Sequence, residues 1–78
     1  MYGADWCPDC RRSKTLMTRL GVEFEYLEVD KDDSLRDRAI ELAGRQSIPV
    51  IEMPDGSILV EPSDPDLARA ATALGLVP

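Results

Sequence analysis

Trp6-Cys7-Pro8-Asp9-Cys10-Arg11-Arg12-Ser13-Lys14 is the stretch that decides how this chain folds. Two cysteines stand three positions apart at the start of a helical pattern. Pro8 suits a first helical turn, because its missing N–H would be unpaired there anyway. The pattern runs on from Arg11 to Leu20: Leu16, Met17 and Leu20 share a face with Ser13, while Arg11, Arg12, Thr15 and Arg19 point outward. Gly21 is a stop signal. Cys7 therefore falls just before or at the helix N-terminus, where unpaired N–H groups and the helix dipole favour a negative sulfur. Cys10 lies one turn on, within reach of Cys7 and less exposed. Disulfide exchange proceeds by thiolate attack on sulfur through a mixed disulfide. It needs one accessible thiol that ionises readily and a second close by. This geometry gives an order of action, in which Cys7 attacks and Cys10 releases the product. The neighbours pull in opposite directions. Arg11, Arg12 and Lys14 favour the thiolate, and Asp5 and Asp9 oppose it. Trp6 has two readings, an apolar wall beside Cys7 or packing against the sheet edge.

The chain has 78 residues, a net charge of −6, two cysteines and no histidine. That length suits one small domain, residues 1–78, burying about 60% of its unfolded surface. A bridge between Cys7 and Cys10 would close too short a loop to staple a fold, so the pair is chemical rather than architectural. A closed zinc site needs four ligands, or three and a water, and with two cysteines and no histidine it would have to recruit carboxylates, so no metal ligands are assigned. The alternative function is a metal or iron–sulfur carrier in which the pair ligates a cluster across a dimer. The acidic balance excludes a basic footprint for nucleic acid or anionic lipid. Asp30-Lys31-Asp32-Asp33 reads as a solvated turn leading into a helix. No apolar run approaches the ~20 residues needed to span a bilayer. Met1 to Trp6 lacks the basic start and apolar stretch of a signal peptide, so a reducing, cytoplasmic setting is expected.

Further along, Phe24-Glu25-Tyr26-Leu27-Glu28-Val29 alternates and reads as a strand. Asp33 or Ser34 caps a second helix to about Ala43, with Leu35, Ala39, Ile40 and Leu42 inward and Gly44 ending it. Pro49 to Met53 is a strand. Pro54-Asp55-Gly56-Ser57 is a turn, and Ile58 to Val60 is the return strand. Asp64 caps a third helix with Pro65 at its first position. Leu67, Ala70, Ala71 and Leu74 form the apolar stripe of that helix. A strand should feed the first helix, yet only Met1-Tyr2-Gly3 is available for it. The strand is therefore very short or truncated. An open position in the sheet would invite pairing with another chain, so a monomer with possible self-association is expected.

Together these residues resemble a glutaredoxin. Cys7-Pro8-Asp9-Cys10-Arg11-Arg12-Ser13-Lys14 is similar to the C-P-x-C-x-x-[AS]-K pattern of that family. Gly44-Arg45-Gln46-Ser47-Ile48-Pro49 is similar to its G-R-x-[ST]-V-P segment. The resemblance implies an α/β fold of thioredoxin-like, glutaredoxin type: a mixed four-stranded sheet flanked by helices. It also implies a cis Ile48–Pro49 bond beside the cysteines. The run from Asp55 to Pro65 lacks the Gly-Gly turn of ordinary glutaredoxins and is similar to mycoredoxins, relatives that serve mycothiol. Transferred position by position, Arg45, Ser47, Ile48, Pro49, Ser63 and Asp64 are the thiol-substrate contacts, with Trp6, Pro8, Asp9, Arg11 and Lys14 framing Cys7 and Cys10. The implied activity is reduction of protein disulfides or low-molecular-weight mixed disulfides. The resemblance also implies that no cofactor is tightly bound. Glutathione, mycothiol or a thioredoxin reductase, as in the glutaredoxin-like donors to ribonucleotide reductase, supplies electrons.

Overall fold

The first helix begins where the proline places it. In a computed structural model describing all 78 residues, β1 (Tyr2–Gly3) leads through a short turn into α1 (Pro8–Arg19). There follow β2 (Leu27–Glu28), α2 (Asp33–Ala43), β3 (Val50–Glu52), β4 (Ile58–Val60) and α3 (Asp64–Ala73). The strands form one mixed sheet in the order β2-β1-β3-β4. β1 runs parallel to β2 and antiparallel to β3, and β3 and β4 form an antiparallel hairpin. This is the thioredoxin-like arrangement expected, with a first strand of two residues.

That strand occupies a central position despite its length. Tyr2 pairs with Leu27 on one side and Val50 on the other. Leu27 N–H donates to the Met1 carbonyl at 2.8 Å, and Val29 N–H to the Gly3 carbonyl at 3.0 Å. The expected open sheet position does not exist, because β1 is bonded on both sides. This removes the ground given above for self-association. The segment expected as a strand over Phe24 to Val29 pairs only at Leu27–Glu28. A two-residue partner cannot support a longer ladder, so Phe24 and Tyr26 pack instead as half-buried side chains.

Alternation along the strands divides the core between the two faces of the sheet. Met1, Ala4, Ile51 and Met53 join Cys10 and Met17 of α1 and Leu67 and Ala71 of α3 on one face. Tyr2, Val29 and Val50 meet Ala39 of α2 on the other. Ile40, expected inward, turns toward a surface cleft described below. Leu74, expected in the α3 stripe, is the C-cap and lies exposed.

Two helix caps fall one residue earlier than the sequence predicts. Asp32 caps α2, accepting from the Ser34 N–H at 2.9 Å. The Ser34 hydroxyl and amide hold the Asp32 carboxyl below its ordinary range. Ser63 caps α3, its hydroxyl accepting from the Asp66 N–H at 3.3 Å, which leaves Asp64 inside the first turn. The side chain best placed to accept from the helix amides wins over its neighbour.

Leu67 is fully buried between α3 and the sheet. Leu67→Ala is expected to cost about 2–5 kcal/mol of unfolding free energy, read from urea denaturation at neutral pH. A cost below about 0.5 kcal/mol, the range of surface substitutions, would contradict this packing.

Candidate active site

Cys7 is the N-cap of α1. Its backbone is extended (φ −85°, ψ 118°), so the chain enters the helix from β1 and turns at the sulfur. The Cys7 Sγ accepts from the Cys10 N–H at 3.3 Å, taking the capping place that a serine or aspartate oxygen commonly fills. Both cysteines are free thiols. Their exposures differ in the expected order, Cys7 at 8% and Cys10 at 0%. Cys7 is nevertheless far more covered than an openly exposed thiol. Its sulfur is reached through a cleft, and Cys10 is sealed beneath it.

The cleft has a volume of about 680 Å³. Trp6, Cys7, Asp9, Ser47 and Ile48 line it, as do Val29, Ala39 and Ile40. Trp6 is 65% exposed, so it is the wall beside Cys7 rather than packing for the sheet edge. Asp30, Asp33, Arg36, Gln46 and Glu61 complete the lining, and sequence reasoning missed all five. The Asp30-Lys31-Asp32-Asp33 run is therefore more than a solvated turn, since its first and last carboxylates face the cleft. One signal was available. In a sheet with parallel strands, ligands bind beyond the carboxyl ends, and β1 and β2 end together at this edge. Glu61 is held at φ 47°, a left-handed value that a non-glycine residue seldom adopts. Its N–H donates to the Pro49 carbonyl at 2.9 Å, which fixes the Glu61 backbone beside the cleft.

The remaining sequence candidates lie elsewhere. The Ile48–Pro49 bond is cis, and Pro49 is buried behind the cleft wall. Arg45 stays outside the lining, donating to the Ser47 Oγ at 3.0 Å and approaching Glu61 Oε2 at 3.6 Å. Pro8 is exposed at the first helical position. Arg11 turns back to the Asp5 carbonyl at 3.0 Å. Lys14 lies 4.1 Å above the Tyr26 ring and 3.9 Å from Asp5 Oδ1. Arg11 and Lys14 border a separate hollow. Ser63 and Asp64 begin α3, away from the Cys7 cleft. Arg12 joins these parts. Its guanidinium lies 3.3 Å from Asp9 Oδ1 and 3.1 Å from Asp64 Oδ1, and it donates to the Pro62 carbonyl at 3.1 Å. The side chain predicted to be outward-facing clamps the first turn of α1 to the start of α3.

Burial pushes the Cys10 thiol up from its ordinary 9.0 to about 12, and its hydrogen bond with Cys7 adds to this. The folded chain keeps a proton that the unfolded chain releases above about pH 9. The stability supplied by the neutral thiol is thus complete below that pH and lost as pH rises toward 12. Denaturation midpoints of the reduced chain are expected to fall over this range, and those of Cys10→Ala to fall less steeply. Parallel slopes for the two proteins would disprove the assignment.

Comparison with known proteins agrees with this geometry. A family model described as glutaredoxin matches residues 1–58. Glutaredoxin 3 of Escherichia coli (strain K12) is 35% identical over 51 residues, 65% of this chain and 61% of that protein. A glutaredoxin of Pseudomonas aeruginosa is 37% identical over 51 residues, with the same coverage. The chain thus spans less than two thirds of the length of these curated relatives. The solution structure of a glutaredoxin from Brucella melitensis superposes with a TM-score of 0.69 at 26% identity, covering 97% of this chain and 84% of that one. With three quarters of its residues inside the family match, and the fold and cysteine placement described above, the chain belongs to the glutaredoxin family.

Proposed function

We propose that residues 1–78 act as one domain that reduces protein disulfides and low-molecular-weight mixed disulfides in the cytoplasm. The observation that carries this is the pairing of Cys7 with Cys10: one sulfur caps the helix and opens onto a cleft, and the other is sealed one turn below. Cys7 attacks a substrate sulfur, releases the first thiol and holds the rest as a mixed disulfide. The Cys10 N–H that donates to the Cys7 sulfur fixes it at the helix start. Cys10 then displaces the second thiol. For small thiol adducts, Cys7 alone suffices, with an external thiol completing the exchange. Trp6 and Ile48 supply apolar contact beside the reacting sulfurs, and Ser47 supplies a hydroxyl at the wall.

The charge of the cleft bears on the electron source. Four carboxylates, Asp9, Asp30, Asp33 and Glu61, line it; Arg36 pairs with Asp33 within the lining, Arg12 and Arg45 reach Asp9 and Glu61 from outside it, and Asp30 is left without an ion pair. Glutathione carries two carboxylates against one ammonium. We favour an uncharged thiol such as mycothiol, a reading also supported by the mycoredoxin-like run from Asp55 to Pro65. That run falls mostly outside the residues matched by the family. Arg45, Ser63 and Asp64 contribute indirectly: Arg45 orients Ser47 and Glu61, and the other two fix the start of α3.

A coupled NADPH assay comparing glutathione, mycothiol and thioredoxin reductase as electron source tests the activity. Cys7→Ser is expected to abolish turnover with every source. Cys10→Ser should keep reduction of small thiol adducts while losing protein-disulfide reduction. Activity surviving in Cys7→Ser, or no turnover with any source, would defeat the proposal. The charge reading has its own measurement. Hydroxyethyl disulfide, which is neutral, should react about tenfold faster than oxidised glutathione, each rate normalised to a free small thiol. The gap should close in 1 M salt, where charges are screened beyond about 3 Å. A faster normalised rate with glutathione would refute it.

A further inference from the structure

The Tyr26 hydroxyl is buried and meets no hydrogen-bond partner. An orphaned buried hydroxyl is costly, so one beside a reaction centre calls for a reason. A β-carbon placed on Gly3 would lie 3.1 Å from the Tyr26 Oη and 3.1 Å from the Cys10 Sγ. Hydroxyl and sulfur thus border the same small gap, which the missing glycine side chain leaves open. The Lys14 ammonium sits 4.1 Å from the centre of the Tyr26 ring. A cation over the ring draws density from the phenol and strengthens its O–H as a donor. Burial first, then the charge of Cys10 and both the charge and the hydrogen-bonding pull of the nearby Asp5 carboxylate, push the phenol up to about 12, with Glu28 adding to this. Asp5 lies outside hydrogen-bonding geometry, so the hydroxyl stays unpaired. Tyr26 therefore keeps its proton in the working range and serves as a donor, never as a base.

We propose that Tyr26 is a positioning residue for Cys10, donating its O–H to the Cys10 sulfur as that sulfur becomes a thiolate. The inference rests on the oxidoreductase reading and concerns its second step. There Cys10 gives its proton to solvent and its sulfur attacks the Cys7 sulfur of the mixed disulfide. The Cys7–Cys10 bond forms and the bond from Cys7 to the substrate sulfur breaks. The electron pair of the broken bond leaves with the substrate thiolate, which takes a proton from solvent. The two cysteines have then lost two electrons in all, and the substrate disulfide has become two thiols. In the resting state the Cys10 thiol is neutral and the hydroxyl has nothing to satisfy. Once the sulfur carries charge, the same hydroxyl is an unpaired donor across the gap from it. A group that binds the charged state better than the resting state accelerates the step.

The test uses the full chain, reduced, mixed with hydroxyethyl disulfide, acid-quenched and read by intact mass. Mass separates the Cys7 adduct from the intramolecular disulfide, so the two steps are timed independently. Cys10→Ser, which stops at the adduct, is the reference. In Tyr26→Phe, adduct formation should be unchanged and resolution about tenfold slower or more, the worth of a hydrogen bond to a charged group. The pH midpoint of the resolving step should move upward. The melting temperature should equal or exceed that of the parent, because an unpaired buried hydroxyl has been removed. An unchanged resolution rate and pH profile in Tyr26→Phe would overturn the proposal. So would an equal slowing of both steps, which marks a merely structural role. If the parent forms no adduct at all, the oxidoreductase reading itself fails, and the role of Tyr26 falls with it.

Discussion

Tyr2 and Gly3 are hydrogen-bonded to β2 on one side, Tyr2 also pairs with β3 on the other, and the remaining elements are positioned through this pair. A strand this short has no stability of its own; it exists because both neighbours hold it. The alternation of its side chains sends Tyr2 toward α2 and leaves Gly3 facing α1. The absence of a β-carbon at Gly3 then lets the first turn of α1 settle directly on the sheet. Cys10 is carried to full burial by that approach, and Cys7 is left at the rim. The difference in exposure on which the two chemical roles depend is thus set by the packing of a helix turn on a single glycine.

Charge organises the surroundings more than it stabilises them. Ion pairs such as Arg38–Glu41 and Arg69–Asp66 join neighbouring turns of one helix and are well exposed. Pairs of that kind contribute about 0–1 kcal/mol each. Arg12 differs because its partners lie on two helices and on the connection before α3. It fixes an orientation that apolar contacts between α1 and α3 would leave looser. It also occupies Asp9, which would otherwise face the attacking sulfur unbalanced. Asp30 has no such partner, so part of the acidic excess of the chain remains at the cleft.

Much of the fold was legible because local chemistry and tertiary packing agree. Pro8, Gly21, Gly44 and the Asp55-Gly56 turn each mark a boundary for a reason that context does not alter. The failures occur where context decides. Strand length at Phe24 to Val29 depends on the length of β1, which no propensity reports. Whether Asp32 or Asp33 caps α2 depends on which oxygen reaches the Ser34 amide. The cysteines and the Ser47-Ile48-Pro49 segment were readable as motifs. The acidic lining was not, because Asp30, Asp33 and Glu61 come from different connections and meet only once the sheet edge is formed. Arg11 and Lys14, adjacent to the motif in sequence, point away from it because the helix turns them to another face.

The cap on α1 makes folding and electron affinity parts of one thermodynamic cycle. In the dithiol state the Cys7 sulfur accepts the Cys10 amide and, when ionised, meets the positive end of the helix. In the disulfide state that sulfur carries no negative charge, and the interaction weakens. Whatever free energy the cap gives the folded dithiol is withheld from the folded disulfide. The same quantity must reappear as a displacement of the reduction potential toward the oxidising side. A residue that improves capping therefore makes the chain a weaker donor of electrons, and one that weakens capping makes it a stronger one. Helix stability and reducing power are in opposition at Cys7, and the sequence around it sets the compromise.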